Sequence, residues 1–96
     1  MQKFEKNASD HAARWALASD AHQKNDKAGA LFLLKRLAED GYVPALVEIA
    51  NIYEEGGKGV SKDIEKAKEW YQHSIDSAGD PAAYIGLGRV LVRYGV

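Results

Sequence analysis

Three histidines, a GGKG run and scattered serines are the residues of this chain that could do chemistry. His11 and His22 fall within one helical segment. Their spacing brings them to within about 20° around the axis but leaves them about 16 Å apart along it. One metal ion cannot bridge that gap, and His73 lies on another segment with no second donor at ligand spacing. Gly56 to Gly59 looks like a phosphate loop. It lacks the G-x-x-x-x-G-K-[ST] spacing, and no strand precedes it. Glycines there serve turns with positive φ, and Val60 behind them is placed to plug between helices. No serine pairs with a histidine and a carboxylate in a nucleophile order. The chain has no cysteine, which excludes a thiolate zinc site and dithiol redox work. A chain with no catalysis, no metal and no cofactor is therefore expected.

The elements that would position these residues are all helical. Apolar periodicity predicts five helices and no competing strand. The first runs from Ala8 to Gln23, with Asn7 as N-cap and Asp10 three residues on, as in a capping box. The second starts at Asn25 or Asp26 and stops at Gly41. Pro44 suits the first turn of the third, which ends at Gly56. Ser61 is the expected cap of the fourth, with Asp63 and Glu65 complementing its N-terminal dipole. Asp80-Pro81 opens the fifth, which ends near Gly95. On the fourth helix Ile64, Ala67, Tyr71 and Ile75 form an apolar stripe with Trp70 beside it, read as core.

The pattern repeats. Ala13, Leu17, Ala18 and Ala21 recur in register at Ala45, Ile49, Ala50 and Tyr53, then at Ala83, Leu87, Gly88 and Leu91. Asp26, Ala30, Leu33, Leu34 and Ala38 recur at Asp63, Ala67, Trp70, Tyr71 and Ile75. The middle unit is the longer one, and its extra residues fall in the glycine-rich turn, where repeat arrays tolerate insertion. A repeated helix pair makes a stacked α-solenoid, an architecture that binds other proteins far more often than it catalyses.

The middle unit closely resembles the Sel-1-like repeat, a relative of the tetratricopeptide repeat. That pattern runs G-x-x-x-A-x-x-x-L-G-x-x-Y-x-x-G, then G-V, then D-x-x-x-A-x-x-W-Y. It is matched by Gly41, Ala45, Ile49, Ala50, Tyr53, Gly56, Gly59, Val60, Asp63, Ala67, Trp70 and Tyr71. Ser74 and Ile75 stand where the family usually has two alanines. The resemblance implies an all-α, right-handed superhelical solenoid of about two and a half helix-turn-helix repeats. It would form a single domain over residues 1–96, in units 8–41, 42–79 and a partial 80–96. It also implies that the first helix of each pair lines the concave face.

Helix geometry then places that face. With Ile49 and Ala50 directed into the core, positions two before and two after Ile49 turn away by about 200°. Val47 and Asn51 are those positions. Their equivalents are Trp15 and Ser19 in the first unit, and Ile85 and Arg89 in the last. One turn further come His22, then Glu54 and Glu55, then Val92 and Arg93. The expected binding surface has an apolar row, a polar row and a charged margin, and it takes a peptide or partner protein. Tryptophan and arginine are enriched at binding hot spots. Trp15 either contacts the ligand or packs beneath the segment around Phe4.

Composition narrows the partners. The chain has 96 residues, 46% hydrophobic and 28% charged, with a formal net charge of −1. That balance gives no strong attraction to nucleic acid or an anionic membrane. No apolar run of about 18 residues is available for membrane insertion. The opening MQKFEKNASD has no apolar leader core, so a cytoplasmic location is expected unless a leader has been removed. The rival reading is structural: self-assembly, or a fragment of a longer solenoid scaffold. The segment PAAYIGLGRVLVRYGV is a first helix with no second helix to cover Tyr84, Leu87, Leu91 or Tyr94. It is expected to pair with its counterpart in a homodimer, or with a partner helix.

Overall fold

Local capping chemistry sets the helix boundaries. The computed structural model describes residues 8–95. In it, Ala8–Gln23 forms α1, Lys27–Glu39 α2, Pro44–Glu55 α3, Ile64–Ala78 α4 and Pro81–Tyr94 α5. Asn7 lies outside the described residues. Asp26 caps α2 by accepting a hydrogen bond from the Gly29 N–H. The α2 terminus is a Schellman turn: the Tyr42 N–H reaches the Leu37 carbonyl and the Gly41 N–H reaches that of Ala38. Gly41 makes this turn possible at a φ of +89°. At helix starts the fixed φ of proline does the corresponding work, with Pro44 and Pro81 each in a first turn.

The fourth helix corrects one expectation. Ser61 is exposed in the loop, and Asp63 is the cap, accepting from the Lys66 N–H at 3.0 Å. The Asp63 N–H in turn donates to the Tyr53 carbonyl at 2.8 Å. That bond ties the start of α4 back onto the end of α3. It consumes the residues after Val60 and moves the helix start past Ser61.

Each helix packs mainly on the next: α1 on α2, α2 on α3, α3 on α4, α4 on α5, with a lesser contact between α3 and α5. The extents are 54 × 29 × 15 Å. Sequential contacts in so elongated a body make an open, solenoid-like stack rather than a closed bundle. The centre of the stack is α3, where Ala45, Leu46, Val47, Ile49, Ala50, Ile52, Tyr53 and Glu54 are all buried. Apolar residues spread this far around a helix need cover on several sides.

Alanines make the close approaches: Ala30, Ala45, Ala50, Ala67 and Ala83 are completely buried, one or more on each of α2 to α5. Val60 joins the same core from the glycine-rich turn. On α4, Ala67 and Tyr71 are buried, while Ile64, Trp70 and Ile75 pack partly buried against the core. At the ends the repeated pattern persists but its cover does not. Leu17 occupies the register of Ile49 and is 59% exposed, since α1 packs mainly on α2.

Two glycines on α5 give a clean test of this packing. A Cβ on Gly86 would fall 2.3 Å from Cε1 of Tyr71, whereas one on Gly88 would meet nothing within 4 Å. Gly88→Ala should therefore stabilise the protein by about 0.5–1 kcal/mol through helix propensity. Gly86→Ala should destabilise it by about 1–3 kcal/mol, because the ring must move. Urea midpoints at constant m-value measure both. A midpoint raised by both substitutions would show that Tyr71 is not seated on Gly86.

Candidate functional site

Two open pockets lie along α1, α3 and α5. The first, of about 210 Å³, is bounded by Trp15, Ala18, Ser19, His22 and Gln23 of α1, with Leu34 of α2 and Glu48 of α3. The second, of about 550 Å³, is bounded by Asn51, Glu54 and Glu55 of α3, Lys62 of the loop, and Arg89, Arg93 and Tyr94 of α5. The structure thus groups Trp15, Ser19 and His22 at one pocket, and Asn51, Glu54, Glu55, Arg89 and Arg93 at the other.

Three of the expected residues stand elsewhere. Val47 is only 8% exposed and belongs to the core, so it does not join an outward apolar row. A turn of about 200° does carry it away from Ile49, but α3 is covered on several sides and leaves it no free one. Ile85 and Val92 are 67% and 87% exposed on α5 but border neither pocket. Of the polar and aromatic lining residues, the pattern missed Gln23, Glu48, Lys62 and Tyr94. Lys62 comes from the loop, outside the first-helix periodicity used to place the face. Its only sequence signal is its position immediately before the Asp63 cap.

The second pocket has a built floor. Glu54 takes a two-pronged contact from Arg89, with Nε donating to Oε2 at 2.9 Å and Nη2 to Oε1 at 2.8 Å. This side-on fork is the strongest geometry available to the pair. Tyr71 approaches from α4, its hydroxyl 2.6 Å from Oε1 of Glu54 and 2.6 Å from Oδ1 of Asn51. A phenol carries one proton and can donate to one of them at a time. The charged carboxylate is the stronger acceptor. Nη2 of Arg89 also donates to the Tyr71 oxygen at 3.1 Å.

Electrostatics follow this geometry. The hydrogen bonds from Arg89 hold the Glu54 carboxyl below its ordinary value, against the opposing effect of burial, with Tyr71 and the charge of Arg93 adding to the lowering. Burial, then the Glu54 contact, push the Tyr71 phenol well above its ordinary range. Arg89 is raised chiefly by Glu54.

Rings and a second set of ion pairs hold α1 beside the first pocket. Trp15 meets Tyr42 edge-on at 5.5 Å between centroids, and His11 lies 5.0 Å from the same ring. Phe4 lies outside the described residues. Arg14 bonds Asp10 at 3.1 Å and also Asp40, the C-cap residue of α2. Between the pockets Lys27, 9% exposed, donates to Oε1 of Glu55 at 3.1 Å and lies 3.2 Å from Nε2 of His22. His22 is thereby committed to the junction of α1 and α2.

Among the described residues no three His, Cys, Asp or Glu side chains are grouped to hold a metal ion, and no helix is long and apolar enough to cross a membrane. Searches against protein-family models, curated proteins and solved structures find no match.

The Glu54 cluster should be visible in the pH dependence of stability. A carboxyl whose folded pKa is depressed contributes stability above its unfolded value, here near 4.5, and loses it as pH falls through the folded pKa. A phenol whose folded pKa is raised contributes below its unfolded value of 10.0, and that contribution fades as pH rises further. The destabilisation caused by Glu54→Gln should therefore be largest at neutral pH and shrink below pH 4.5. Tyr71→Phe should cost about 1–2 kcal/mol at neutral pH and flatten the alkaline limb. Denaturant titrations at a series of pH values measure both. A Glu54→Gln penalty constant from neutral pH into the acid limb would mean the carboxylate charge is not what holds the seam.

Proposed function

We propose that this protein is a non-catalytic interaction module whose binding face is the run of pockets along α1, α3 and α5. The observation that carries the reading is the pairing of those pockets on alternate helices of an open stack. Helices separated by one partner in sequence present their outer sides in a row, as the first helices of a solenoid do. The Sel-1-like pattern from Gly41 to Tyr71 supports the same reading. It describes the molecule as a right-handed array of about two and a half helix pairs, in units 8–41, 42–79 and 80–96. A face preset by half-buried ion pairs has little ordering to lose when a peptide or partner surface binds.

Arg89 is unsuitable for testing this face, since its loss would strand the buried Glu54 carboxylate. Ser19 and Arg93 line the pockets without a floor contact of that kind. Ser19→Arg combined with Arg93→Glu should weaken partner capture at least about tenfold, or roughly 1.4 kcal/mol. Glu69→Arg, on an exposed part of α4, should leave capture unchanged. Quantitative pull-down with circular dichroism on the same samples measures this. Equal capture by the double variant would move the site off this face.

A second reading, self-assembly through α5, is favoured by one observation. Tyr84, Ile85, Leu91 and Val92 are 58%, 67%, 41% and 87% exposed on that helix. Exposed Gly88 lies among them and would let a second backbone approach closely. In this reading the occupant is α5 of a second copy. Sedimentation equilibrium across micromolar concentrations should then give a mass rising toward twice the monomer value, and Val92→Glu should hold it at one. A concentration-independent monomer mass would end this second reading.

A further inference from the structure

The charges around the second pocket do not cancel, and the imbalance selects a class of ligand. Glu54 is matched by Arg89 across two hydrogen bonds. Glu55 is matched by Lys27, which reaches it from α2. Each acid of the lining therefore has a cation partner within the protein, Glu54 buried and Glu55 at the exposed rim. Lys62 and Arg93 are not matched in this way: among the described residues neither has a carboxylate at ion-pair distance. Lys62 stands with its ammonium 4.9 Å above the Tyr94 ring, a contact that steadies it without neutralising it. Arg93 is exposed and lines the same pocket, one turn beyond Arg89. Asn51 of α3 and Tyr94 add neutral polar side chains to the lining. Two unmatched cations thus face a space of about 550 Å³.

We propose that this groove takes the side-chain carboxylates of an acidic peptide segment in a partner protein. The inference rests on the interaction reading above and names the chemistry of the ligand. Lys62 supplies a point charge and Arg93 a planar fork suited to two-pronged carboxylate contact. The whole chain carries a formal charge of −1, so it offers no general attraction to a polyanion. Any affinity for an acidic segment must come from a local cluster, within a Debye length of about 8 Å at physiological salt.

The test uses fluorescein-labelled octaglutamate and the full chain, read by fluorescence anisotropy. Saturable binding is expected, weakening as salt is raised. Lys62→Glu and Arg93→Glu should each lower the affinity at least about tenfold, or roughly 1.4 kcal/mol. Lys58→Glu makes the same change in net charge at an exposed position of another loop pocket, and it should leave the affinity within about twofold. Absence of saturable binding would overturn the proposal. So would an equal loss with Lys58→Glu, which would reveal bulk charge at work. Displacement by inorganic phosphate at the same concentration of charge would also overturn it, by showing a simple anion site. If octaglutamate fails while the Ser19→Arg, Arg93→Glu variant still loses its partner, the interaction face stands and the acidic-ligand proposal alone falls. If that variant also keeps its partner, both fall.

Discussion

Tyr71 is held at both ends. Its ring lies against the backbone of Gly86, too close for any side chain there, and its hydroxyl meets the Glu54 carboxylate that Arg89 grips from the far side. One residue of α4 thereby fastens α3 to α5. The two helices otherwise share only a lesser contact, so the width and depth of the second pocket depend on this link. The carboxylate is 7% exposed and the guanidinium 40%. An ion pair of that kind gives little net stability, but removing one member leaves a buried charge uncompensated. Its main consequence is geometric: it fixes the angle between two helices that line the proposed face.

The five helices were legible in the sequence because their boundaries are chemical. Gly41, Gly56, Gly79 and Gly95 end helices with positive φ, and Asp26, Asp63 and Asp80 begin them with side-chain caps. These signals act over four or five residues and need no tertiary context. The choice between Ser61 and Asp63 was not legible on the same terms. Both can cap, and the decision falls to the bond from the Asp63 N–H to the Tyr53 carbonyl, which is a contact between two helices. Core membership was readable where a residue lies on a two-sided helix, as with Ala67 and Tyr71. It failed for Val47, since periodicity reports a direction around the axis and not how many neighbours surround it.

The proposed face shows the same division. Register alone brought Trp15, Ser19 and His22 to one pocket and Asn51, Glu54, Arg89 and Arg93 to another. It could not separate residues that present a free group from residues that spend it internally. His22 faces Lys27, Arg89 is committed to Glu54, and Asn51 lies on Tyr71. Those commitments are pairings between different helices, which no local pattern records. Ser74 is a related case. It stands where the resembling repeats usually carry alanine, is completely buried, and its hydroxyl has no hydrogen-bond partner among the described residues. The fold accepts the unsatisfied group at a cost, and nothing else in the structure accounts for it.

Internal neutralisation therefore decides which charges the proposed face leaves without an ion-pair partner. An array of first helices lined with acids and bases in equal number would select no ligand by charge. Here each acid has a cation within the protein: buried Glu54 has the Arg89 fork, and Glu55, its side chain still 62% exposed, has the Lys27 ammonium from α2. The bases left at the rim are Lys62, from a loop, and Arg93, on the last turn of α5. Lys62 is placed by the chain reversal that the glycines of the turn permit, with Gly56 seated directly against its backbone. The conformational freedom of one short loop thus supplies a charge that helix periodicity alone would not have delivered to the groove.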